Sequence, residues 1–143
     1  MDSRIPSIHH KFTLNSRLEL RQSKTPSITN KAIRDAGGLP FILSNVPQGL
    51  FSSETSNNVY GIARNPWNHL FTTGGSSGGE AGLISSFSSP IGVCSDSAGS
   101  VRGPAANCGV TSFKPTARRI SRLGRVGVSG TEAEPFREVN PIF

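Results

Sequence analysis

Three serines in glycine-rich surroundings are the residues of this chain best suited to chemistry. Ser76 and Ser77 lie inside GGSSGG (residues 74–79), and Ser100 closes a second small-residue run, Ser97-Ala98-Gly99-Ser100. A serine hydroxyl is nearly inert at neutral pH unless a base removes its proton as it attacks. Small neighbours leave backbone N–H groups open to an approaching carbonyl oxygen, as oxyanion stabilisation requires. Two such loops suit acyl transfer: one supplies a nucleophile with amide donors, the other a hydroxyl that relays a proton. A flexible linker explains the first loop alone, but not a second patterned loop at fixed distance. A phosphate-cradling loop would need a lysine that is absent.

The segments that must position these loops read as alternating helices and strands. Ser27 precedes Ile28, Ala32 and Ile33 at helical spacing, with Gly37 and Gly38 behind them. This predicts a short helix capped at Ser27 and ended by glycine. Leu39–Leu43 is a continuous apolar run after a turn signal, which predicts a buried strand. Asn45 to Asn68 is loop-rich, broken by Pro47, Pro66 and asparagine pairs. Gly79 to Phe87 predicts a helix whose first-turn Glu80 complements the helix dipole. Ile91–Cys94 predicts a short buried strand, Ser100–Asn107 a helix interrupted at Pro104, and Val110–Phe113 a further strand. This alternation is that of an α/β layered fold. Residues 1–26 read as an irregular segment and 124–143 as a divergent, disordered tail.

Composition narrows the function classes. A chain of 143 residues makes one modest domain, and a 34% hydrophobic content predicts a thin core. The net charge of +6 is uneven, with Arg118, Arg119, Arg122 and Arg125 in one short segment. That segment reads as a solvated basic loop; without interleaved aromatics it supports no base-stacking platform, and no nucleic-acid partner is expected. Cys94 and Cys108 form no C-x-x-C pair and read as reduced, buried thiols. His9, His10 and His69 read as surface residues, and no metal-ligand spacing exists, so neither metal nor cofactor is expected. Tyr60 and Trp67 read as packing residues. The amino terminus lacks the apolar run of a signal peptide and no segment reaches membrane-spanning length. An intracellular protein, cytoplasmic or membrane-associated, is expected.

GGSSGGE followed by SDSAGSVRGPA resembles the amidase signature family of serine hydrolases. NVPQ, SNNVYGIARNPWN, AANCG and SFKPTARRIS narrow the likeness toward its fatty-acid-amide-hydrolase-like branch. The resemblance covers residues 27–123 as a partial domain. It implies a fragment of a fold in which helices flank one mixed sheet, and a lipophilic amide as substrate. It further implies that Ser100 is the acyl-forming nucleophile. Ser76, held in a cis peptide, is then the bridging serine, with Ser77 supporting it through hydrogen bonds. The backbone N–H groups of Ser97, Ala98, Gly99 and Ser100 form the oxyanion hole, while Asp96 and Arg102 brace the loop. Ala98 stands where the pattern often has glycine, and Cys94 where it prefers glycine or alanine.

The family's base is a lysine that follows an apolar strand. LPFIL imitates that strand but ends in Ser44 and Asn45. Lys11, Lys24 and Lys31 lie in polar or helical settings without the apolar surroundings that depress an amine pKa, and Lys114 matches a structural position. The expectation is therefore a chain that lacks the family lysine and is inactive alone. The alternative is a non-catalytic interaction protein derived from a hydrolase fragment, using its arginine cluster to bind an acidic partner.

Overall fold

The computed structural model describes residues 27–124 in full, together with the backbone of three strands outside that range. In chain order the elements are β1 (His10–Leu14), β2 (Arg17–Arg21), α1 (Ile28–Asp35), a 3-10 turn (Gln48–Leu50), β3 (Ser56–Asn57), β4 (Gly61–Ile62), α2 (Gly78–Ser85), β5 (Gly92–Asp96), α3 (Arg102–Cys108) and β6 (Glu138–Ile142). The strands pair as three antiparallel two-stranded ladders: β1–β2, β3–β4 and β5–β6.

Helix α1 follows its sequence signals. The Ser27 hydroxyl accepts the Asn30 N–H at 3.1 Å, capping the first turn, and Gly37 turns the chain away at φ +89°. No α1 side chain is buried. The helix is held through its first residues instead, by Ile28 N–H to Leu123 O and Thr29 hydroxyl to Ser121 O, both 3.1 Å. The arginine-rich segment therefore packs against α1 rather than trailing free. Arg118 and Arg122 are engaged within the molecule, and Arg125 lies outside the described residues.

The core is thin, as the composition predicts. It consists of Ala81 and Ile84 from α2 with Val101, Ala105 and Cys108 from the α3 side, and Cys94 and Val110 pack partly buried against it. Pro104 does not interrupt α3. It occupies the first turn, where a missing N–H costs no intrahelical bond. At the other end of α3, Trp67 Nε1 and the Ser85 hydroxyl both donate to Cys108 O at 2.9 Å, and Asn65 Nδ2 donates to Asn107 O at 2.8 Å. Trp67 is thus a hydrogen-bonding pin more than a packing residue, since 67% of it is exposed; Tyr60 is exposed as well.

Four segments differ from the sequence reading. The stretch 1–26 contains the β1–β2 hairpin, whose register sets Phe12 opposite Glu19, Leu14 opposite Arg17, and Leu18 opposite Thr13. Apolar residues face polar ones, so no apolar cross-strand pair announces the ladder in the sequence. The stretch 124–143 contains β6, with Pro141 opposite Val93; proline is tolerated on an edge strand, where its missing N–H breaks no ladder bond. Leu39–Leu43 forms no strand, and Leu39 and Phe41 are 67% and 59% exposed. Apolar character favours burial but supplies no partner, and among the described residues no strand pairs with this run. Val110–Phe113 likewise forms no strand, only a bridge residue at Ser112. No described helix is long and apolar enough to cross a membrane.

Candidate active site

The GGSSGG loop enters α2 through Ser77, which occupies the N-cap position, and the peptide between Gly75 and Ser76 is cis. Its glycines are required by close approach. A Cβ at Gly75 would run into the Ser52–Glu54 backbone, one at Gly79 into the Asn45 backbone, and one at Gly78 into the hydroxyls of Thr55 and Thr73. The first amides of α2 are engaged locally: Gly78 N–H donates to Thr55 Oγ1 at 2.9 Å and Gly79 N–H to Asn45 O at 3.2 Å. The result is a loop with Ser76 and Ser77 both buried.

Ser100 lies at the turn between β5 and α3 and is half-buried, while Ser97 and Ala98 are exposed. Asp96, the last residue of β5 and fully buried, organises this turn. Its Oδ1 accepts Gly99 N–H at 2.7 Å, and its Oδ2 accepts the N–H groups of Val101 and Arg102 at 3.0 and 3.2 Å. Arg102 closes the set with a fork, Nε to Oδ2 at 3.0 Å and Nη2 to Oδ1 at 2.9 Å. Burial alone raises the Asp96 pKa, but the guanidinium and the three backbone donors outweigh it and hold the carboxyl well below the usual carboxylate range. The resemblance assigns the Gly99 N–H to an oxyanion. It donates to Asp96 instead, because a buried carboxylate needs every donor within reach. Among the described residues no acceptor meets the N–H groups of Ser97, Ala98 and Ser100.

The two loops meet where Ser77 N–H donates to Ser100 O at 3.0 Å. This places the serine loops side by side at the N-terminal ends of α2 and α3. Among the described residues no hydrogen bond joins the Ser76 and Ser100 hydroxyls. Around Ser77, burial pushes the Cys94 thiol up, the Glu80 charge adds to that, and a hydrogen bond with the Ser77 side chain offsets part of it. Glu80 does more than complement a dipole. Burial raises its pKa, and a hydrogen bond with Ser44 partly counters the rise; its side chain fills the space in front of Gly92. The sequence reading gave no site role to Thr55, Thr73 and Asn45, although Asn45 opens the NVPQ motif, Thr55 directly precedes SNNVYGIARNPWN and Thr73 adjoins GGSSGG. Among the described residues no cluster of His, Cys, Asp and Glu could hold a metal ion. A surface depression of about 330 Å³ between Trp67, Ile84, Phe87 and Pro90 lies at the opposite ends of the two helices from the serines.

A sequence model of the amidase family matches residues 15–135, most of the chain. The chain belongs to the amidase family. This amidase chain is 40% identical to fatty-acid amide hydrolase 1 of Sus scrofa over 119 residues, which are 82% of the chain and 21% of that protein. It is 36% identical over 118 residues to one component of the glutamyl-tRNA(Gln) amidotransferase of Neisseria meningitidis, covering 82% of the chain and 24% of that protein. The solved structure of a fatty acid amide hydrolase superposes with a TM-score of 0.75 at 34% identity, covering 81% of this chain and 20% of that one. The fold is thus an α/β fragment of the amidase signature fold, and the chain spans about a fifth of the length of the curated relatives it matches first. The match begins before and ends beyond the 27–123 stretch that carried the resemblance.

Proposed function

We propose that this chain is the nucleophile-bearing part of an amidase-family serine hydrolase acting on lipophilic, fatty-acyl amides. The observation that carries the reading is the joining of the two serine loops at Ser77 N–H to Ser100 O, with Ser100 half-buried beside the exposed Ser97 and Ala98. In the proposed reaction the Ser100 oxygen attacks the amide carbonyl as its proton passes to Ser76, whose own hydroxyl proton passes on to a neutral amine base. The resulting oxyanion is met by the N–H groups of Ser97, Ala98 and Ser100, which have no other described acceptor. Collapse breaks the C–N bond as a proton returns through Ser76 to the leaving nitrogen and releases the amine, and water then hydrolyses the acyl ester to a fatty acid and restores the Ser100 hydroxyl. Ser77 ties the loops together, and Asp96 with Arg102 holds the amide-bearing turn in shape. The fatty-acyl preference is supported by the 40% identity to a fatty-acid amide hydrolase; the amidotransferase likeness supports the wider class of amide chemistry.

Proton relay needs a neutral amine at its end, and the described lysines are poorly suited to supply one. Lys31 is exposed and ion-paired with Asp35, and Lys114 lies in the segment after α3. We therefore expect no turnover of a long-chain acyl anilide by this chain alone and no labelling of Ser100 by a fluorophosphonate. Propylamine, added as an external base, should bring on labelling at Ser100. Ser100→Ala should abolish it and Ser76→Ala should slow it by about 100-fold, the scale of general-base assistance. Labelling at another serine, or labelling indifferent to Ser76, would refute the assignment.

A further inference from the structure

We infer that Thr55 is a positioning residue for the chemistry assigned to Ser76 and Ser100, an inference that rests on the proposed hydrolase function. Thr55 is fully buried, and its single hydroxyl spans the mouth of the GGSSGG loop. It donates to Gly74 O at 2.8 Å and accepts from Gly78 N–H at 2.9 Å, so both ends of the loop are fastened to one oxygen. The two bonds have opposite polarity, which a hydroxyl satisfies with its one proton and its lone pairs. Valine has nearly the same shape and satisfies neither. Thr55 is itself anchored outside the loop, because its carbonyl accepts Ala63 N–H at 2.9 Å next to the β3–β4 hairpin. Thr73 braces the same strand segment by donating to Ala63 O at 3.1 Å. Between the two fastened ends the chain makes its cis turn at Ser76 and then offers Ser77 N–H to Ser100 O. Where Thr55 holds Gly74 and Gly78 therefore decides where both loop serines lie relative to Ser100.

The test compares Thr55→Val with Thr55→Ser in the full chain, with Ser27→Ala as a variant that loosens α1 far from the loop. Thr55→Val should speed hydrogen exchange of the Gly78 and Ser77 amides by about tenfold or more, the scale of a lost buried bond, and shift their NMR signals. It should also slow propylamine-supported labelling of Ser100 by about 10- to 100-fold, as misplaced reacting groups do. Thr55→Ser should restore both readouts to within about threefold of the parent, given that the hydroxyl is retained. Ser27→Ala should change neither. Unaltered Gly78 and Ser77 amides in Thr55→Val, failure of serine to rescue, or unaltered Ser76-dependent labelling overturns the inference. If the parent chain shows no labelling even with propylamine, the catalytic reading falls, and the amide measurements alone judge whether Thr55 sets the loop.

Discussion

The two serine loops meet at one hydrogen bond yet are built on opposite principles. The Ser76 loop is neutral and buried. Its shape comes from missing side chains, at Gly75, Gly78 and Gly79, and from neutral donors and acceptors on Thr55 and Asn45. The Ser100 loop is more exposed and is organised by charge, with one buried carboxylate gathering three backbone N–H groups and a guanidinium. The contrast teaches that a buried neutral loop is kept in place by exclusion of space, while a more exposed turn is kept in place by a charged hub beneath it. Glycine serves differently in each. At Gly78 there is no room for a methyl group, whereas at Gly99 there is room but φ is +123°.

The largest effect should come from the hub. Asp96→Asn replaces an acceptor-only group with one that carries two donors of its own, facing donors that cannot move away. A loss of about 3 kcal/mol is expected in urea unfolding followed by Trp67 fluorescence, the scale of removing a buried charged acceptor from several donors. The pH dependence follows from the same group. The folded pKa of Asp96 lies below its unfolded value of about 3.9, so its stabilisation is complete above that value and fades as pH falls below it. Glu80, whose folded pKa is raised, contributes in the opposite sense, favouring the folded state below about pH 4.3 and losing that contribution as pH rises through its folded value. The urea midpoint should therefore fall from pH 5 to pH 3 more steeply in the parent than in Asp96→Asn; parallel curves would exclude the hub.

Gly78→Ala should be the next largest and tests the other principle. Helix propensity alone favours alanine by about 1 kcal/mol. The collision with the Thr55 and Thr73 hydroxyls should reverse the sign, giving a net loss of about 1–2 kcal/mol, and a stabilised variant would mean the loop is not held by close packing. The smallest effect belongs to Arg102→Lys. The arginine side chain is 53% exposed, so losing its fork should cost only about 0.5–1 kcal/mol, and salt should narrow the gap to the parent.

Legibility divides along the same line. The helix at Ser27, the helix after GGSSGG and the strand leading to Asp96 were readable because caps, glycines and apolar runs act within a few residues. The dense, patterned spacing of the two small-residue loops marked them in the sequence, and the structure places them side by side with Asp96 and Arg102 paired beneath the second. Thr55 was not readable, since nothing local marks a threonine in a loop-rich stretch as the partner of Gly74 and Gly78. LPFIL was misread because its apolar content says nothing about which strand lies beside it. The strand at Arg17–Arg21 carries a signal that the reading passed over, since RLELR alternates charged and apolar residues at strand period, whereas Pro141 argues against a strand at Glu138–Ile142.

By itself the sequence determined the family and the thinness of the core, because those are matters of residue type and near-neighbour spacing. Only the tertiary structure decided that Ser77 and Ser100 share a hydrogen bond, that Gly99 gives its N–H to Asp96, and that a distant threonine closes the first loop. Those outcomes depend on which buried donors and acceptors come within bonding distance, a competition settled by packing in three dimensions.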